Sequence, residues 1–305
     1  MNKIFQFLFL IISSSIIISC AKDDDIRTEP LRDYAEQYPK DLDSIDKFLD
    51  THYMEVDTDY NVIFTKIPAN GTQQSIRQQT QFPLDFIMAP NTDQDVNYKI
   101  YFIKLREGTQ RAPSEVDSVH VAYRGTLVND TQFDLALNPI WFELQAVVPG
   151  WAEIIPEFKT GTYDPSDGPN PVVFDNYGAG IMFLPSALGY YGNSSPSGTI
   201  PAYSPLIFSF KLMELRYRDH DRDGILSKDE RDPNDANKKL IDYDSDGDGF
   251  ANFFDIDDDG DRVQTKFEIK NPATGLPFSF DAIPDCSGNT TNPARIKKHI
   301  NPACQ

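Results

Sequence analysis

The spacing of apolar residues changes period twice along the chain. Near the start, Ile45, Phe48, Leu49 and His52 recur at i, i+3, i+4 and i+7, the stripe of a helix with one buried face. Asp43 is placed to cap that helix, and Pro39 divides 31–52 into two short helices. His52 on the apolar face reads as a packed core residue rather than a ligand. Between Tyr60 and Pro90 short apolar runs mix with a glutamine-rich patch (Gln73, Gln74, Gln78, Gln79, Gln81), whose simplest role is an extension packed on the next domain.

From Tyr98 the period shortens to two. Tyr98 to Leu105 is rich in aromatic and β-branched residues, Val119, Val121 and Tyr123 alternate, and a turn at Asn129-Asp130 precedes Gln132-Phe133-Asp134. Trp141 to Leu144, Gly178 to Leu184 and the alternating Leu206, Phe208, Phe210 and Leu212 supply further strands. Helical spacing returns once, at Trp151, Ile154, Ile155 and Phe158, which predicts a helix over Gly150–Phe158. The expectation is an α+β domain in which an antiparallel sheet wraps over one short helix. The stretch rich in Gly, Pro and Asp between Gly161 and Asn176 reads as a surface insertion.

Charge changes the picture at both ends. The chain of 305 residues carries a net charge of −19, which argues against nucleic acid because phosphates would repel it. Between Asp219 and Glu268 stand 17 acidic and 7 basic residues, a net of −10, so about half of the excess sits in one block and points to a cation site. At the start, Lys3 precedes an apolar run over Ile4–Ile18 that is too short for a stable membrane span. The run ends Ile17-Ile18-Ser19-Cys20, which resembles the lipobox of bacterial lipoproteins and implies a lipidated Cys20; an ordinary secretory signal is the alternative. The acidic run Asp23-Asp24-Asp25 after it resembles the export signal of surface lipoproteins in the Bacteroidota. An outer-membrane lipoprotein exposed at the cell surface is therefore expected, with the periplasmic face as the alternative. Cys286 and Cys304, the remaining even pair in an exported chain, suggest a disulfide closing a C-terminal loop.

Within 96–216 a set of elements occurs in order: Tyr123 and Gly125, Phe133-Asp134, Pro139 to Phe142, Val147-Val148, Gly150-Trp151, Tyr191-Gly192, Ile200-Pro201 and Phe208. This ordered set resembles FK506-binding-type (FKBP) peptidyl-prolyl cis-trans isomerases. The resemblance implies an apolar slot for a proline ring, floored by Trp151 and walled by Tyr123, Phe133, Val147, Val148, Ile200 and Phe208. It further implies that Tyr191 donates a hydrogen bond to a substrate carbonyl and that Asp134 is a polar partner at the rim, linked to Tyr123. Ile140, the short segment Leu144–Val147, the loop over 193–198 and Tyr203 depart from the family's pattern. The implied activity is isomerisation of X–Pro bonds in exported proteins, without a catalytic cofactor; the alternative is a binding module that holds proline-containing segments without turnover.

The acidic block carries three spaced loops. Asp219, Asp221, Asp223, Gly224, Ile225 and Glu230 fit the twelve-residue EF-hand pattern, with Asp at 1, 3 and 5, Gly at 6, a carbonyl at 7 and Glu at 12. A second loop offers Asp244, Asp246, Asp248, Asn252 and Asp255, and a third Asp257, Asp259, Asp261 and Glu268, with Thr265 at position 9 and Arg262 where Gly is preferred. The tandem is too close for helix pairs and resembles a thrombospondin type 3 array braced by structural calcium. His220, at position 2, is expected to point outward. The resulting division is 1–19 signal peptide, 20–30 lipidated tether, 31–95 N-terminal extension, 96–216 isomerase domain, 217–270 calcium-binding module and 271–305 disulfide-closed segment. The expected partners are proline-containing polypeptides, a membrane reached through the lipid, and calcium ions.

Overall fold

A computed structural model describes residues 30–164, 172–193, 195 and 198–304. The chain separates into Met1–Arg32 and Asp33–Gln305. Of the first unit only residues 30–32 are described, and they form no helix or strand. The expected signal peptide, Cys20 and the acidic run thus lie outside the described residues, as do residues 165–171 of the expected 161–176 insertion. No helix among the described residues is long and apolar enough to cross a membrane.

The second unit begins with one helix, α1 (Tyr34–Thr51), rather than two. Its N-cap is Asp33, whose Oδ1 accepts from the N–H groups of Ala35 and Glu36 at 2.9 and 3.2 Å. Pro39 sits inside it without ending it, because tertiary contacts on both sides hold the segment. The Tyr38 ring packs edge-on against Tyr98 at 5.0 Å, and Asp41 is anchored to Ser186.

A hairpin follows, β1 (His52–Val56) with β2 (Val62–Lys66). The main sheet has six antiparallel strands: β3 (Leu84–Asn91), β4 (Val96–Arg106), β5 (Ser118–Leu127), β6 (Gln132–Glu143), β9 (Gly178–Leu184) and β10 (Leu206–Arg216). Their order is β3-β4-β9-β10-β5-β6. A two-residue ladder joins β7 (Thr162–Tyr163) to β8 (Phe174–Asp175) beside it. Strand β3 belongs to this sheet, which therefore starts before residue 96. Its Pro90 is tolerated because β3 is an edge strand.

The period-two pattern assigns the two faces. Tyr98, Ile100 and Phe102 of β4, Met182 and Leu184 of β9, and Leu206, Phe208, Phe210 and Leu212 of β10 share a core with Trp151, Ile154, Ile155 and Phe158. Trp151 and Ile154 lie on helix α2 (Gly150–Ile154), Ile155 on the 3-10 turn that continues it, Ile155–Glu157, and Phe158 caps that turn. The intervening residues Tyr101, Ile103, Leu105, Ala179, Ile181, Phe183 and Ile207 share a second core with Ile45, Phe48 and Leu49 of α1 and Val62 of β2. The sheet is covered on both sides at β4 and β9, and all seven residues of β9 are buried. His52 is buried at the start of β1, stacked on Phe48 at 4.0 Å and paired through Nε2 with Asp130 at 3.4 Å.

Beyond β10 the chain forms three loops and short turns, with one helical turn α3 (Thr265–Glu268). This part docks on the ends of β5 and β6. Val116, Leu240, Ala251 and Phe253 form a small buried cluster. Glu115 accepts a forked pair from Arg231 at 2.6 and 3.2 Å and the N–H of Leu240 at 3.1 Å. Burial raises the Glu115 carboxyl, but the Arg231 guanidinium and the backbone N–H groups of Glu115 and Leu240 together outweigh it and hold the group below its ordinary range. Cys286 and Cys304 are joined by a disulfide with their Cα atoms 5.1 Å apart.

Candidate functional site

A cavity of about 750 Å³ with an aromatic lining lies over the α2 face of the sheet. Trp151 forms its floor at 2% exposure. The indole lies among Phe208 (5.2 Å between ring centres), Tyr123 (5.4 Å), Phe142 (5.6 Å) and Phe210 (6.0 Å), mostly edge to face, the arrangement that aromatic quadrupoles favour. Pairing sets the walls. Gly125 of β5 lies opposite Phe208 of β10 and Asp134 of β6. A Cβ at Gly125 would come within 2.5 Å of the Phe133 ring and 3.1 Å of Phe208, so only glycine lets both rings close over the strand.

The structure brings Tyr123, Phe133, Asp134, Val147, Val148, Trp151, Ile200 and Phe208 together around this cavity. Tyr123 donates its hydroxyl to Asp134 Oδ2 at 2.6 Å. Burial first, and then that carboxylate, push the phenol well above its ordinary pKa, so it stays a proton donor. Tyr191 is placed elsewhere: it is buried, stacked on Tyr34 at 4.2 Å and edge-on to Tyr203 at 5.0 Å, and it does not line the cavity. Its neighbour Tyr190 does. The cause is local backbone. Tyr191 adopts a positive φ of 50°, which turns its ring toward α1. Phe142, Ser195 and Thr199 also line the cavity. Ile140 is partly exposed on β6 and not part of the lining, and Ser194, Pro196 and Ser197 lie outside the described residues.

The acidic loops repeat one conformation three times. Position 4 (Arg222, Gly247, Gly260) and position 6 (Gly224, Gly249, Arg262) have positive φ in every loop. Arg262 thus takes, at φ 78°, a backbone that glycine adopts without strain. In each loop the N–H of position 7 donates to the carboxylate of position 5, for Ile225 to Asp223 (2.6 Å), Phe250 to Asp248 (2.8 Å) and Val263 to Asp261 (2.7 Å). The side chain at position 9 accepts the N–H of position 2, for Ser227 from His220 (3.2 Å), Asn252 from Ser245 (2.9 Å) and Thr265 from Asp258 (3.2 Å). Asn252 Oδ1 thus accepts from Ser245, so position 9 closes the loop. The side chain of Ile225 packs against Ile269 and Ile283.

Three groups of carboxylates could hold an ion: Asp221, Asp223, Glu230 and Asp258; Asp244, Asp246 and Asp248; and Asp257, Asp259 and Asp261. The second is largely exposed. Asp219 and Glu268 stand beside the first and third groups, each with a buried oxygen lacking a hydrogen-bond partner, and Asp255 caps the N–H of Asp257 at 2.9 Å. Among the described residues, every buried carboxylate oxygen without such a partner lies between Asp219 and Glu268. That is the donor set a hard cation requires. Burial first, then neighbouring carboxylates, push Glu230 up to about 11, Asp258 to about 9 and Glu268 to about 8. His220 does not point outward. Its ring is buried against Phe253 and Phe254, with Nδ1 at 2.8 Å from Ser227 Oγ and Nε2 at 3.1 Å from Glu143.

Tyr190 and Asp258 escape the sequence reading, as do Phe142, Ser195 and Thr199 in the cavity lining. Tyr190 is masked by the adjacent Tyr191-Gly192 motif, and Asp258 by its place between two ligand positions. The repeat of a hydrogen-bonding side chain at position 9 was the signal that the loops turn position 2 inward.

On sequence, residues 109–163 match the FKBP-type peptidyl-prolyl cis-trans isomerase family, and residues 220–293 match the BamM C-terminal family. The chain is 29% identical over 128 residues to FKBP-type peptidyl-prolyl cis-trans isomerase FkpA of Aeromonas hydrophila, covering 41% of this chain and 40% of that protein. It is 30% identical over 115 residues to FkpA of Escherichia coli K12, covering 37% and 36%. With outer membrane protein MIP of Legionella longbeachae it shares 30% identity over 125 residues, covering 40% and 44%. The chain thus spans about two fifths of the length of these relatives.

Proposed function

We propose that this protein is a peptidyl-prolyl cis-trans isomerase whose active site is the cavity floored by Trp151. The observation that carries the reading is the aromatic lining of Tyr123, Phe133, Phe208 and Trp151, with Asp134 hydrogen-bonded at its rim. The reaction breaks no covalent bond. Its barrier of about 18–20 kcal/mol comes from amide resonance lost on twisting. The planar X–Pro amide has the greater charge separation, so an apolar slot destabilises it relative to the twisted state. The aromatic walls exclude water and hold the proline ring, which lets the preceding residue rotate. The Tyr123–Asp134 pair fixes one wall and supplies polarity where the substrate backbone leaves the slot. Tyr190 is the tyrosine placed to face the substrate.

The remaining parts fit a protein of the cell envelope. The Ser19-Cys20 junction supports a lipid anchor, the acidic run after it supports surface display, and a relative named as an outer membrane protein supports that compartment. In this reading calcium ions brace the acidic loops and proline-containing polypeptides are the substrates.

The test is a protease-coupled assay on a prolyl peptide, with the full chain in calcium. Acceleration over the uncatalysed rate is expected, and Trp151→Leu is expected to lower kcat/KM at least about tenfold, the equivalent of about 1.4 kcal/mol of barrier. Folded wild-type protein with no rate above background refutes the enzyme. Peptide binding without turnover would identify a proline-segment binding module instead.

A further inference from the structure

Asp258 is not explained by the twelve-residue register. It stands at position 2 of the third loop, between two ligand positions, yet it is only 1% exposed. Both of its carboxylate oxygens are buried without a hydrogen-bond partner. A carboxylate oxygen of Asp258 lies within 4.8 Å of oxygens from Asp221, Asp223 and Glu230 of the first loop. Its backbone is held within its own loop and by the second: the N–H donates to Thr265 Oγ1 at 3.2 Å, and the carbonyl accepts from Ser245 Oγ. Loops two and three therefore aim this side chain into loop one.

We infer that a divalent cation of calcium type is shared between two loops, held by Asp221, Asp223 and Glu230 from the first and Asp258 from the third. The inference rests on the reading that the acidic loops bind calcium. Four carboxylates that meet away from water repel one another, and a cation that needs six to eight hard oxygens converts that repulsion into attraction. Glu230 and Asp258 also line a cavity of about 310 Å³, which gives the ion a way in and leaves room for water to complete its shell. The first loop is fixed to the sheet through His220–Glu143 and Arg231–Glu115. The third runs on toward the disulfide-closed segment. The ion thus ties the docked part of the module to the part that follows it, beside the packing of Ile225 on Ile269 and Ile283.

The test uses the full chain, calcium alone as ligand, calorimetric titration and thermal unfolding with and without chelator. Asp258→Asn is expected to weaken one calcium ion at least about tenfold. It also raises Tm in chelator, because one buried charge is gone, and shrinks the calcium-induced rise in Tm. A structural aspartate that touched no ion would shift both melting temperatures alike. Asp85→Asn, exposed on the edge strand β3, leaves the affinity of that ion unchanged. A wild-type calcium shift and affinity in Asp258→Asn overturn the shared site. A measurement without a variant stands beside it: hydrogen exchange of the wild type on chelation should deprotect residues 221–230 and 257–268 together, and loss confined to the first loop overturns the bridge. Wild-type protein that neither binds calcium nor gains stability from it would sink the calcium reading itself, a separate result from the loss of Asp258 alone.

Discussion

Removing the Asp41 carboxylate should loosen the wall of the cavity from 145 residues away in sequence. Asp41 is 1% exposed. Its Oδ2 accepts the Ser186 N–H at 2.8 Å and the Ser186 hydroxyl at 2.6 Å, while Oδ1 accepts Gln37 Nε2–H at 2.7 Å. A hydrogen bond to a charged acceptor contributes about 1.5–3 kcal/mol, and a buried N–H left without a partner costs about 1–3 kcal/mol. The hydroxyl and the Gln37 amide can turn to other partners, but the Ser186 N–H cannot. Asp41→Ala is therefore expected to destabilise the protein by about 3 kcal/mol, or roughly 6–12 °C in Tm. Asp41→Asn keeps one acceptor and should cost less. The effect is also local, because Ser186–Leu188 forms the turn that leads to Gly189 and Tyr190 at the cavity. Calorimetry gives the global loss, and hydrogen exchange of a peptide covering residues 184–191 gives the local one. A fall in Tm below about 2 °C with unchanged exchange in that peptide would refute the reasoning.

Two further outcomes follow from buried groups in the C-terminal part. Burial, then Lys297 and Lys298, push His299 down to about 3 from an ordinary 6.5, so the folded protein keeps it neutral while the unfolded chain takes up a proton. Its contribution is complete above pH 6.5 and is lost as the pH falls toward 3, with a slope near 1.4 kcal/mol per unit. Measured in saturating calcium, His299→Gln should flatten the decline in stability between pH 6.5 and 5; parallel wild-type and variant curves would count against it. Phe253→Ala empties the centre of the Val116–Leu240–Ala251 cluster and should cost about 3–5 kcal/mol. Hydrogen exchange should show the loss in residues 240–254 with Ile181–Leu184 still protected, and uniform loss across both would mean that the module and sheet unfold as one.

What the sequence made legible was whatever depended on local period. The alternation Leu206, Phe208, Phe210, Leu212 marks a strand with one face on α2, and the helical spacing from Trp151 to Phe158 marks the element beneath it. It was silent where one segment answers to another. Pro39 reads as a break because the anchors that keep α1 continuous, Tyr98 and Ser186, are 59 and 147 residues further along. The strand β3 shows no clean alternation because it is an edge with Pro90 in it. A tyrosine doublet gives no sign of which ring faces the cavity, since that is decided by the positive φ at Tyr191. In Asp257-Asp258-Asp259, register assigns the outer two as ligands. The inward turn of the middle one depends on a neighbouring loop that no local pattern contains.

The strand order has a consequence for how the chain reaches this structure. The pairs β3–β4 and β5–β6 are hairpins of neighbouring strands that can close early. The pair β9–β10 is inserted between them, with β9 against β4 and β10 against β5. Until residue 216 has been made, each early hairpin has an open edge where its last neighbour belongs. Such distant pairings close slowly and leave strands exposed to other chains. A polypeptide read here as assisting others to fold is thus itself a late closer, most in need of protection just before its final hairpin arrives.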